Sequence, residues 1–155
     1  MSSERELKHW HLVVLAIIIG IALIYRVYQS VWPKATVEIG GATRRVLVAD
    51  NYQRRYQGWS NRDSMGRWGG MLFLFPDRGD HPLVMRAMQF PLDIIWLDGN
   101  TVVGLAERAL PEAGRREEDL TVYRAGAPSD AVLELPAGFV ARQGVKIGDR
   151  VKVED

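Results

Sequence analysis

Leu12 to Tyr25 reads LVVLAIIIGIALIY, an apolar run with no polar face. Beyond residue 33 the pattern changes to short apolar segments closed by Gly, Pro, Asn or Asp. The first pattern predicts a hydrophobic helix and the second a β-rich domain. The charge-free stretch from His9 to Tyr25 is 17 residues, at the short end of what spans a bilayer. Trp10, Tyr25, Tyr28 and Trp32 favour the headgroup level, and Arg26 can snorkel. A cleaved signal peptide is the rival. RVYQSVWP behind the run offers no small-x-small site, and Glu4 and Glu6 offset Arg5 and Lys8 ahead of it. The expectation is one uncleaved transmembrane helix, contacting lipid through residues 10–28, within an anchor region 1–33. Arg5 and Lys8 on one side balance Arg26 and Lys34 on the other, so charge alone leaves the orientation open.

In the remaining domain, 34–155, Ala35 to Ile39 and Thr43 to Ala49 flank Gly40-Gly41, which predicts a hairpin. Asp50 or Asn51 caps a short helix, YQRRYQ, that Gly58 ends. Met71 to Phe75 is a buried strand closed by Pro76. Leu83 to Phe90 is a candidate edge strand before Pro91. Asp93 to Leu97 and Thr101 to Ala106 pair across Asp98-Gly99-Asn100. Leu110 to Asp119 is a loop, Ala131 to Leu135 a strand, and Pro136 to Gly144 a short helix with Pro at its start. RVKVE is the last strand. Eight or so short strands and two short helices predict a mainly β fold, a sandwich or barrel.

Charge adds an exclusion. From Lys34 onward there are 17 Lys and Arg against 17 Asp and Glu, so the basic field of a nucleic-acid binder is missing. Positive charge is nonetheless concentrated between Arg44 and Arg67, where six arginines stand against Asp50 and Asp63. With no cysteine in the chain, disulfides, thiolate metal sites and a lipoprotein signal are excluded.

Five stretches carry a family resemblance: ADNYQRRYQGW (49–59), GMLFLF (70–75), LVMRAMQFPLDIIWLD (83–98), LELPAG (133–138) and GDRV (148–151). In this order they resemble the uncharacterised DUF192 proteins of bacteria and archaea. That family's pattern runs A-D-x4-R-x2-G-L, G-M-L-F-x-F, F-W-M-K-N-T-x2-P-L-D-I-x-F-x-D, L-E-L-x-A-G and G-D-x-V. Met85 is kept and Arg86 stands for the Lys, but Ala87 and Met88 replace the polar Asn and Thr. The resemblance implies a jelly-roll-like β fold, usually behind a signal or anchor segment, and no reaction. With the anchor helix, the expectation is a single-pass protein of the cytoplasmic membrane with its domain on the extracytoplasmic side.

The chemistry legible in the residues is sparse. Nucleophilic catalysis has no Cys and no G-x-S-x-G elbow, and His81 is the domain's one histidine. Asp77, Asp80 and His81 offer metal-type ligands, but a polar turn explains the same letters, and neither a metal nor a cofactor is expected. Asp93 with Glu107 or Glu134 forms the candidate carboxylate pair of an envelope hydrolase. Alternation between Leu133 and Leu135 also explains Glu134 as an exposed strand residue. Asp93, beside the apolar IIWL, needs a partner, for which Arg86 or Arg55 is the candidate. Guanidinium forks recognise carboxylate and phosphate, and the arginines also suit a solvated face near an anionic membrane. The resulting candidate ligand-binding set is Arg55, Arg62, Met85, Arg86, Asp93 and Glu134. The function it supports is a membrane-anchored binding or accessory module for an envelope saccharide, an anionic ligand or a membrane protein, with the hydrolase as alternative.

Overall fold

The computed structural model describes residues 9–154, in two units that divide after Trp32. The first contains one helix, α1 (His9–Ser30), whose window Trp10–Val27 has mean hydropathy 2.2 and is nowhere buried. Its 22 residues rise about 33 Å, close to the thickness of a bilayer's hydrocarbon core. This helix is long and apolar enough to cross a membrane, and a signal sequence has the same properties.

The second unit begins at Pro33. Strands β1 (Lys34–Ile39) and β2 (Ala42–Ala49) form the expected hairpin, with Gly40 and Gly41 at φ 56° and 74° in its turn. Helix α2 (Tyr52–Gln57) starts where the Asn51 side chain accepts the Arg54 N–H at 3.0 Å, and ends at Gly58. Then come β3 (Met71–Gly79), β4 (Leu92–Asp98), β5 (Thr101–Ala109), a 3-10 turn at Glu117–Asp119, β6 (Ser129–Pro136), helix α3 (Phe139–Gln143) and β7 (Lys152–Glu154). The seven strands make one sheet in the order β5-β4-β6-β3-β2-β1-β7, antiparallel except between β2 and β3. The sheet curls until its ends meet. Thr101 of β5 bridges Arg150, and the Val151 N–H donates to the Asn100 carbonyl at 2.8 Å. The expected mainly β, barrel-like fold with short helices is what forms.

Alternation decides which side chains fill the curl. Val37 and Ile39, Ile95 and Leu97, and Leu133 and Leu135 turn inward to one core with Phe139 of α3. Gly70 lies so close to the Glu134 carbonyl that any Cβ there would collide with it.

Some expectations fail. β3 is not closed by Pro76 but continues through it to Gly79. Leu83 to Phe90 is not a strand: Leu83 alone pairs, with Tyr123, and the chain then turns, with Ala87 at φ 51°. Two prolines bracket the segment, and burial of Met85 and Met88 holds it as a turn. Pro136 ends β6 and does not begin α3, because Gly138 at φ 79° makes the corner between them.

Asp93 explains that corner, and corrects its expected pairing with Arg86 or Arg55. The residue is fully buried. Its Oδ1 accepts the N–H groups of Arg108 (2.8 Å) and Gly138 (3.0 Å), and its Oδ2 accepts that of Val140 (2.8 Å). Arg108 sits at φ 53° where the β4–β5 register slips, so one carboxylate holds both a bulge and the start of α3. Asp93→Asn keeps the shape but turns an amide donor toward an N–H. We expect a loss of about 2–3 kcal/mol, seen as a lower urea midpoint at unchanged slope.

Candidate functional site

Val132 and Glu134 alternate with the inward residues of β6 and point to the sheet's other face, with Glu134 in register with Met71 of β3 and Ile94 of β4. The sequence pattern makes that face a solvent face. It is covered instead, by the chain after α2 and by the turn before β4, and Glu134 is 7% exposed. Trp59, Met85 and Met88 are buried in this cover. Ser60 Oγ donates to the Arg86 carbonyl at 2.8 Å and Asn61 N–H to the Ala87 carbonyl at 2.9 Å, which fastens the two covering segments together.

Glu134 accordingly stands in the floor of a cleft. Burial alone pushes its pKa from 4.5 up to about 8, with no hydrogen bond or opposite charge from the described residues to offset it. The carboxyl is therefore mostly neutral at pH 7. The inner throat, about 40 Å³, is lined by Glu134, Trp59, Phe73, Met85 and the two cations Arg55 and Arg86. It opens into an outer groove of about 520 Å³ between α2 and residues 80–86, to which Tyr52, Tyr56, Phe75 and His81 contribute. Arg55, Tyr56, Phe73 and Arg86 line both parts, so they form one continuous cleft.

The cations at its rim are fixed. Arg55 Nη1 donates to the Leu74 carbonyl at 2.8 Å while its guanidinium lies 5.4 Å from the Phe75 ring. Arg86 stacks 3.7 Å from the Tyr56 ring, donates to the Tyr56 carbonyl, and pairs with Glu117 at 2.9 Å. These bonds occupy only part of each five-donor fork. In the outer groove the Phe75 and His81 rings stack at 3.7 Å.

Of the six residues singled out from sequence, the fold brings Arg55, Met85, Arg86 and Glu134 to this cleft. Arg62 lies outside its lining, over the Trp59 ring at 5.4 Å, where burial lowers its pKa. Asp93 pairs in register with Leu135, and so faces the side of the sheet opposite to Glu134. With Glu107 exposed in the β5 bulge, the three carboxylates assemble no pair across a common space. The arginine cluster also divides. Arg54 joins Asp50 at 2.6 Å, Arg44 covers Phe139, and Arg45 and Arg67 flank Trp68. Asp80 is bonded to Arg124, while His81 Nε2 lies 3.1 Å from the Asp77 carbonyl. Among the described residues no group of three His, Cys, Asp or Glu converges as metal ligands would.

The aromatic walls escaped the sequence reading, although a signal was there. Tyr52, Arg55 and Tyr56 stand at i, i+3 and i+4, which shares one face of a helix. Ala87 also acquires a meaning, since at φ 51° it holds a left-handed position that Asn tolerates better. The polar Asn of the family pattern thus suits the backbone at this point.

Glu134 ties stability to pH. Its folded pKa exceeds the unfolded value, so the folded state holds the extra proton between about pH 4.5 and 8. Stability should fall as pH rises through that window, by up to about 5 kcal/mol. Glu134→Gln should remove most of this dependence, measured as Tm against pH.

No curated protein matches the chain. Two solved structures do. A Sinorhizobium meliloti protein, described as a candidate transcription regulator, is 30% identical with a TM-score of 0.67, over 79% of this chain and 95% of its own. A protein of unknown function from Novosphingobium aromaticivorans is 30% identical with a TM-score of 0.64, over 78% of this chain and 84% of its own. The DUF192 profile, described as an uncharacterized ACR, matches residues 35–153, nearly the whole β domain with its cleft. The chain therefore belongs to the DUF192 family.

Proposed function

We propose that this protein is a membrane-anchored binding module whose cleft between α2 and residues 80–86 takes an anionic or saccharide-type ligand. The observation that carries this reading is the cleft's composition. Two backbone-fixed guanidiniums stand at the rim of a groove with Tyr52, Tyr56 and Phe75 in its walls. Planar forks suit carboxylate or phosphate, and flat aromatic faces suit the apolar faces of a sugar ring. The formal neutrality of the domain supports a local charge site over a broad polyanion surface such as nucleic acid demands.

The anchor reading rests on the apolar α1 and on the absence of a small-x-small site behind it. In this proposal α1 is a single pass through the cytoplasmic membrane and the domain stands in the cell envelope, on the extracytoplasmic side. Protease added to intact spheroplasts should digest the domain. A domain protected until the membrane is lysed would reverse the orientation.

Binding is tested by thermal unfolding of the detergent-solubilised chain against acidic and neutral saccharides and anionic headgroups. A ligand at about a hundred times its Kd stabilises the fold by about 2.7 kcal/mol, which is a visible shift. Arg55→Ala should abolish the shift, and Arg62→Ala should leave it. Equal shifts in the wild type and Arg55→Ala would move the ligand elsewhere.

A further inference from the structure

Resting on that reading of the cleft, we propose that its inner throat receives a carboxylate of the ligand and that Glu134 is the hydrogen-bond donor that holds it. Glu134 is more than nine-tenths buried, lines the throat and has no partner among the described residues. A buried acid that no other described group of the chain bonds, in the floor of a small throat, is placed to meet a ligand.

Size and charge narrow what enters. About 40 Å³ holds roughly three waters, which is the scale of a carboxylate group. An ammonium group would have to pass the guanidiniums of Arg55 and Arg86 at the rim. A neutral hydroxyl would leave those two charges unused. A carboxylate is drawn past the two rim guanidiniums, and in the throat one of its oxygens accepts the carboxyl O–H of Glu134. This acid–carboxylate pair exists only while Glu134 keeps its proton, which its buried position favours at neutral pH.

The neighbours of Glu134 fix the pH response. Arg55 and Tyr56 face the throat from α2, Arg86 from the turn before β4, and the flanking residues Met71 and Ile94 on β3 and β4 are apolar. Asp77, Asp80 and His81 belong to the outer groove, where Asp80 is already bonded to Arg124. No second carboxylate shares the throat lining. Once Glu134 ionises, two like charges meet there and the ligand is expelled.

The experiment is calorimetric titration of the full chain in detergent micelles with D-glucuronate, succinate, D-glucose and inorganic phosphate, at about pH 6.5 and about pH 9. Glucuronate or succinate should bind at the lower pH and glucose should not. Affinity should drop about tenfold at the higher pH, following the lost proton. Glu134→Gln, whose amide still donates, should bind with little pH dependence, and Glu134→Ala should bind weakly at both. A pH-dependent loss that persists in Glu134→Gln, or glucose binding as well as glucuronate, overturns the proposal while leaving the cleft reading intact. Binding of phosphate without either carboxylate does the same, and so does a throat that takes up no carboxylate and holds ordered water only. Carboxylate binding unaffected by Arg55→Ala overturns both readings.

Discussion

β6 lies between β3 and β4 with both of its faces covered. On one side Leu133 and Leu135 point into the curled core, and on the other Val132 and Glu134 point under Trp59, Met85 and Met88. A strand in that position has no solvent face, so whatever alternates with its core residues is also taken out of water. That constraint turns an ordinary leucine–glutamate–leucine alternation into a buried acid. It also requires the covering segments to be bonded down, which Ser60, Asn61 and Arg86 do through backbone carbonyls.

Two buried carboxylates, Asp93 and Glu134, are handled in opposite ways. Asp93 accepts three backbone N–H groups, so both oxygens are engaged and its position joins β4, the β5 bulge and α3. Glu134 has no such donors, and burial raises its pKa. Both are close to fully buried, and the difference lies in what surrounds them. The N-terminus of α3 supplies unpaired N–H groups to Asp93. Beside Glu134 the register neighbours are the side chains of methionine and isoleucine. One carboxylate is thus an architectural clamp, and the other faces open space in the cleft.

The arginines divide along similar lines. Clustering in sequence between residues 44 and 67 suggested one basic surface, but the side chains project from a strand, a helix and a loop, and most settle on rings or carboxylates nearby. Arg55 reaches the cleft because it shares a helix face with Tyr52 and Tyr56. Arg86 reaches it from a segment that sequence alone cast as an extended strand. An extended 83–90 would alternate Met85 and Ala87 with Arg86 and Met88. The turn at Ala87 instead lets Met85 and Met88 both bury while Arg86 stays at the rim.

Local chemistry determined much of this protein. The apolar helix, the Gly40-Gly41 hairpin, the Asn51 cap with its Gly58 stop, and the MLFLF, DIIWL and AVLEL strands all follow from residues within a few positions of one another. Their rules concern adjacent backbone: turn geometry, capping and alternation. Tertiary structure decided the rest, because it depended on contacts between distant segments. Alternation fixes that Glu134 and Leu133 face opposite sides of a strand, but not whether the second side meets water. Asp93 could be seen to need partners, yet its donors come from residues 108, 138 and 140, which only the bulge and the turn at Gly138 bring together. The cleft exists for the same reason: α2 and residues 80–86 are far apart in the chain and meet over β3 and β6.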